Sequence, residues 1–210
     1  MARTQQDEAT FALRRAEVVD AAAALLAERD VDGVSMRAIA ASIGQSRMTP
    51  YHYFQNKEQI LGAVRAHSFR RLTDYLDEAS DGIDSPIERL RAEMFAFVNF
   101  GIAEPNSYRL MFQTASEPNA DPSDLTEETE HAFARALKTG QTAVEAGVLG
   151  SDPVDAYHVI WAVAHGLISL HLSGQFVRGR TVDDVMLSAI DLFLQAADQG
   201  PHQATLVQKT

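Results

Sequence analysis

The chain has 210 residues, 46% of them hydrophobic, enough to bury a core as one large domain or two small ones. The absence of cysteine excludes a disulfide framework and a thiolate metal site and fits a reducing cytoplasm, while the polar opening MARTQQDEATFALRR and the lack of any run near ~20 apolar residues exclude a signal peptide and a membrane span. The net charge of −11 excludes a uniformly basic surface, but residues 1–70 carry nine cations against eight anions, +1, which leaves −12 for the rest: an acidic body beside a neutral-to-basic head, oriented toward a polyanion.

Ala12 to Glu28 reads as the first helix, buried along Val18, Val19, Ala22, Leu25 and Leu26. Asp32-Gly33 breaks the chain. Ser35 then opens a short helix in which Met36, Ile39, Ala40 and Ile43 recur at helical spacing. Gly44 supplies the positive φ that ends it, and Gln45 completes a tight turn. Ser46 caps a second short helix predicted to run through Arg47, Met48, Thr49, Pro50, Tyr51, His52, Tyr53 and Phe54, with Pro50 in the first turn where a missing N–H costs least. Two short helices joined by a glycine turn predict a helix-turn-helix, whose second helix enters the DNA major groove. Its donors and aromatics suit phosphates and base edges, and Phe54 suits packing beneath it.

Asn56 caps the next helix, which continues through Ile60, Leu61, Val64, Ser68 and Leu72 toward Ala79. SDGIDSP is a linker, and Ser85-Pro86-Ile87-Glu88 is a capping box opening a helix to about Ala103, apolar on several sides through Met94, Phe95, Phe97, Val98 and Phe100. Glu104-Pro105 starts a short helical piece, and SEPNADPSD reads as a mobile acidic loop. A long helix from Ser123 stops at Gly147 with Val148 behind it. Asp152-Pro153 opens a helix ending near Gly174, and Thr181 opens the last, ending at Gly200-Pro201. The predicted fold is all-α. Residues 1–56 form a three-helix DNA-binding head, 57–79 a connecting helix and 80–200 a larger helical body, with 201–210 a disordered tail.

The order Ile39-Ala40, Gly44-x-Ser46, Thr49, Tyr51, Tyr53-Phe54, Lys57-Glu58 and Ile60-Leu61 resembles the DNA-binding domain of the TetR/AcrR family of bacterial repressors. The match covers about the first third of the chain, including Arg14 to Gly33 upstream. Met48 stands where the family usually has glycine, Tyr53 where it usually has histidine, and Pro50 replaces a common aliphatic residue. The resemblance implies that Ser35, Tyr51, Tyr53 and Lys57 hold phosphates and that Arg47, Met48, Thr49 and His52 face base edges, with Arg37 completing the set. Arg47 suits the paired acceptors of guanine and Met48 a thymine methyl.

In the second half, Trp161, His165 and Gly166 resemble the C-terminal domain of the TetR subgroup named for its Trp-His-Gly signature. His158, His165 and His171 are offset by seven and six, which turns His171 away and leaves them structural, so no metal and no cofactor is expected. Met94, Phe97, Tyr108, Met111, Phe112, Trp161 and His165 are the candidate lining of an apolar pocket. Val159, Ala162, Val163, Gly166 and Leu170, with Ile190 and Leu194 opposite, are the candidate face between two copies.

Together these point to a homodimeric regulator, most simply a repressor, that binds a palindromic double-stranded operator and is released by a small hydrophobic inducer. The alternative is an all-α small-molecule-binding protein or enzyme without DNA binding. No nucleophile–base pair, glycine-rich phosphate loop or metal motif supports an enzyme, and Glu127 and Glu130 offer only exposed carboxylates.

Overall fold

The structure, a computed structural model, describes residues 2–112, 122–145, 147 and 152–198. Every regular element among them is helical: α1 (Ala2–Glu28), α2 (Met36–Ser42), α3 (Lys57–Ser80), α4 (Pro86–Ala103), α5 (Pro105–Phe112), α6 (Pro122–Glu145), α7 (Pro153–Leu172) and α8 (Val182–Asp198). The fold is the all-α one read from the sequence. The expected acidic loop up to residue 121, Val148, and the end at Gly200-Pro201 with its tail lie outside the described residues.

The caps act as the sequence requires. The Ser35 hydroxyl accepts from the Ala38 amide at 3.2 Å, and Asn56 Oδ1 accepts from the Gln59 amide at 2.9 Å. Asp152 Oδ1 accepts from Val154 N at 2.8 Å, and Thr181 and Asp184 bond each other reciprocally. Gly44 takes φ +65°, which lets the Gln45 amide reach back to the Ala40 carbonyl at 2.9 Å and close α2.

Two expectations are corrected. α1 begins at Ala2, not Ala12, because its first turns are polar and helical without an apolar stripe to announce them. The segment after Ser46 is not an α-helix through Phe54: it is a turn followed by one 3₁₀ turn, Pro50–His52. Thr49, Tyr51, His52 and Tyr53 each donate to the carbonyl three residues back, at 2.9–3.1 Å. In an α-helix Pro50 would donate to Ser46; having no N–H, it leaves Ser46 to Thr49 and tightens the run.

The chain divides into two compact units, residues 1–74 with 103–132, and residues 75–102 with 133–210. In the first, α1 packs on α2 and α5, and Val18, Ala22, Leu26, Ile39, Phe54, Ile60, Val64 and Leu110 share one core. Asn106 on α5 donates to the Leu26 and Arg29 carbonyls at 2.9 and 3.1 Å, satisfying groups that the end of α1 leaves open. Arg65 on α3 does the same for α5, donating twice to the Met111 carbonyl.

The second unit buries a charge. Glu93 on α4 is 4% exposed among apolar neighbours on its helix and is met by Arg135 of α6 at 2.7 Å. Arg135 also bonds Asp77, Ser80 and Thr139, and Thr139 in turn donates to Glu93. Burial alone would lower the Arg135 pKa, but its bonds to Glu93 and Asp77 outweigh that and hold the guanidinium above its ordinary value. α6 and α7 meet at Gly140, where an added Cβ would lie 2.2 Å from the Pro153 carbonyl oxygen, so only glycine fits.

Arg135→Leu should therefore lower stability by about 3–5 kcal/mol in urea unfolding, because Glu93 is left buried and uncompensated. The double variant Glu93→Leu with Arg135→Leu should recover most of that loss. Additive losses would show that the pair is not coupled.

Candidate nucleic-acid interface

The recognition segment is anchored from behind and open in front. Pro50 and Phe54 are buried, Phe54 at 3% exposure, while Ser46 caps the turn by accepting from the Met48 amide at 3.1 Å. Arg47, Met48, Tyr51 and His52 are exposed, Met48 at 60% and Tyr51 at 50%. Thr49 and Tyr53 are half-buried beside them. The open Met48 side chain suits a thymine methyl.

Ser35 and Arg37 are also exposed, at the start of α2, with the Ser35 hydroxyl engaged in its cap. Tyr53 is half-buried, its ring 5.0 Å from that of Phe11 on α1. Arg15, one turn further along α1, places its guanidinium 4.8 Å from the centre of the Phe54 ring. Lys57 opens α3, half-buried, and its ammonium donates to the Val31 carbonyl at 2.6 Å. That bond ties α3 to the turn before α2 and leaves the ammonium two further donors. Sequence reasoning missed Phe11 and Arg15, whose only signal is their spacing of four on one helix face.

The candidate pocket residues fall in different units. Tyr108, Met111 and Phe112 belong to the first, where the Tyr108 and Phe112 rings are 5.3 Å apart and Met111 is fully buried. Met94, Phe97, Trp161 and His165 belong to the second. There Trp161 and His165 meet edge to face at 4.5 Å, Phe97 lies 5.4 Å from His165, and Tyr157 stacks on Trp161 at 5.9 Å. Burial pushes the His165 pKa down to about 4 and the Tyr157 hydroxyl up to about 12, so the imidazole is neutral at pH 7. His158 instead lies exposed against the Val154 carbonyl at 2.7 Å, and His171 is exposed.

On α7, Val159, Ala162, Gly166 and Leu170 form an exposed small and apolar strip, with Val163 half-buried beside it. Ile190 does not join them. It is 2% exposed within its own unit because it packs as core alongside Met186 on the inner side of α8. Among the described side chains of α8, Leu187 and Leu192 are exposed large apolar residues, and the Leu194 side chain lies outside the described ones.

Comparison with known proteins adds the following. The model of the bacterial regulatory proteins of the tetR family matches residues 18–64, and that of the tetracyclin repressor-like C-terminal domain matches residues 90–193, a stretch that contains Trp161, His165 and Gly166. The chain is similar to the HTH-type transcriptional regulator BetI of Brucella canis, 28% identical over 188 residues that cover 78% of this chain and 93% of that protein. Among solved structures, a protein of unknown function from Rhodococcus sp. RHA1 superposes with a TM-score of 0.76 at 28% identity, over 87% of this chain and 94% of that one. AibR, solved in complex with isovaleryl coenzyme A and operator DNA, shares the fold with a TM-score of 0.62 at 20% identity, over 86% and 98% of the two chains.

The neutral His165 makes a pH prediction. Its folded pKa, about 4, lies below the ordinary 6.5, so between those values the unfolded chain binds more protons and stability rises with pH. The contribution is full above 6.5 and is lost as pH falls toward 4. Replacing His165 with Phe should shrink the difference between urea midpoints at pH 7 and pH 5. An unchanged difference would mean that His165 titrates normally.

Proposed function

The chain belongs to the TetR family of bacterial transcriptional regulators, and from that premise we propose a homodimeric repressor that binds a palindromic operator and leaves it when a small hydrophobic molecule enters the body. The observation that carries the DNA-binding reading is the recognition segment itself. A capped, backed turn presents Arg47, Met48, Tyr51 and His52 to solvent beside Lys57 and Arg37. Phosphates would be held by Ser35, Tyr51, Tyr53 and Lys57; base edges would meet Arg47, Met48, Thr49 and His52. The acidic remainder of the chain would repel the duplex and favour approach by the head.

In this reading the exposed strip of α7 and the outer residues of α8 meet their copies across a two-fold axis, burying an area that typically exceeds ~1,000 Å² in stable pairs. Half-sites on one face of the DNA follow from that symmetry. The inducer needs only a higher affinity for the state whose heads no longer fit successive grooves. The Trp161, His165 and Phe97 rings favour an apolar or aromatic ligand with one or two polar groups.

Gel retardation on DNA flanking its own gene tests the reading: a salt-sensitive complex supports it, and no complex with any palindromic fragment returns the chain to the rival class of ligand-binding protein. Two substitutions separate the contacts. Lys57→Ala should weaken operator and random DNA alike and reduce the salt slope by about 1, whereas Arg47→Ala should cost about 1–3 kcal/mol at one base position and relax preference there. Interchanged patterns would reverse the two roles. For the ligand, an apolar inducer should shift Trp161 fluorescence, raise the melting temperature and release operator with one apparent affinity. Stabilisation without release would uncouple the cavity from the heads.

A further inference from the structure

Phe11 is an aromatic residue on a polar stretch of helix, 51% exposed and outside the shared core of its unit. It also precedes the stretch that matches the family, which starts at residue 18. A side chain so exposed contributes little to the hydrophobic stability of the head. It is nevertheless in contact with another ring: Tyr53, centroid to centroid 5.0 Å, planes inclined by 50°. This tilted arrangement is one of the favoured geometries for paired rings.

One turn along the same face of α1, Arg15 lies over Phe54. Phe11 and Arg15 therefore grip two consecutive residues at the end of the recognition segment. Phe54 is fixed by burial in any case, at 3% exposure. Tyr53 is held less firmly: it packs half-buried against the core and follows a 3₁₀ turn whose last bonds are at 3.0–3.1 Å to the Pro50 carbonyl. Without the Phe11 ring the Tyr53 ring, held by the core alone, would gain rotamer freedom and its phenol oxygen would be less closely placed.

We infer that Phe11 is a positioning residue for DNA binding: the N-terminal extension of α1 holds the Tyr53 ring so that its hydroxyl is aimed at a backbone phosphate before the duplex arrives. The inference rests on the proposed DNA-binding function and goes beyond it, because it assigns a role to a residue outside the set proposed to contact DNA. A side chain already fixed in its bound rotamer loses less freedom on association. Arg15 covers the neighbouring Phe54 ring, which burial already fixes. The chemistry is self-consistent: the contact is neutral, so it adds affinity without releasing a counterion.

The test is operator binding followed by fluorescence anisotropy, with the full chain, at several salt concentrations and with melting curves in parallel. Phe11→Ala should weaken binding roughly 2- to 10-fold, the range expected for one freed side chain, with the salt slope and the melting temperature nearly unchanged. Phe11→Tyr, which retains the ring, should bind as the parent does. In a Tyr53→Phe background, where the hydroxyl is gone, Phe11→Ala should cause no further loss. Parent-like binding by Phe11→Ala overturns the inference, as does an equal loss in the Tyr53→Phe background or a failure of Phe11→Tyr to restore binding. If the parent chain itself binds no operator, the DNA-binding reading fails first and the inference falls with it; if only the Phe11 arms fail, that reading stands.

Discussion

One missing hydrogen bond sets the form of the recognition segment. Pro50 has no amide proton, so the α-helical bond from residue 50 to the Ser46 carbonyl cannot form, and Thr49 takes that carbonyl instead at 2.9 Å. The chain tightens to three residues per turn, which stacks side chains in rows rather than fanning them around a cylinder. Pro50 itself is buried, while Met48 and Tyr51 remain exposed. A tightened turn has few internal bonds and needs support from its surroundings. That support comes from Phe54 in the core, Arg15 and Phe11 on α1, and Lys57 fastening α3 to the Val31 carbonyl.

α3 continues from this support into the rest of the chain, and it is held by charged groups along its length. In the first unit Arg65 donates to the end of α5, Arg70 pairs with Glu128 at 2.5 Å, and Arg71 pairs with Glu104. In the second, Asp77 and Ser80 near its C-terminus bond Arg135, which also holds buried Glu93. The exposed pairs each contribute little in water, whereas Glu93 and Arg135 are coupled by their mutual burial. Arg70 with Glu128 in the first unit and Asp77 with Arg135 in the second each join a residue of α3 to one of α6.

What the sequence revealed was local. Ser35, Gly44, Ser46, Asn56, Asp152 and Thr181 each announce a boundary because the group they satisfy lies within five residues, and the structure uses them so. The α1 stripe from Val18 to Leu26 was legible for the same reason: its period is its own. The first turns of α1 were not, since polar residues there leave no period to read. Nor was the 3₁₀ form of the recognition segment, although Pro50 was its visible cause. Long-range partners were invisible: Glu93 and Arg135 are separated by 42 residues, and nothing in either neighbourhood names the other. Of the site, the exposed set Arg47, Met48, Tyr51 and His52 could be placed from spacing and resemblance, while the Phe11–Tyr53 contact needed coordinates. Ile190 shows the limit of a helical wheel, which marks an apolar side without saying whether the chain or a second copy covers it.

The most direct test of the account is hydroxyl-radical footprinting of the chain on DNA flanking its own gene. A symmetric pair of heads reading the major groove predicts two protected segments on one face of the duplex, separated by one helical turn of about 34–36 Å or a multiple of it. They should be related by the dyad of a palindrome and fade together as salt is raised. A single protected segment, protection without helical phasing, or an unprotected duplex at concentrations that saturate any nonspecific binding would contradict it.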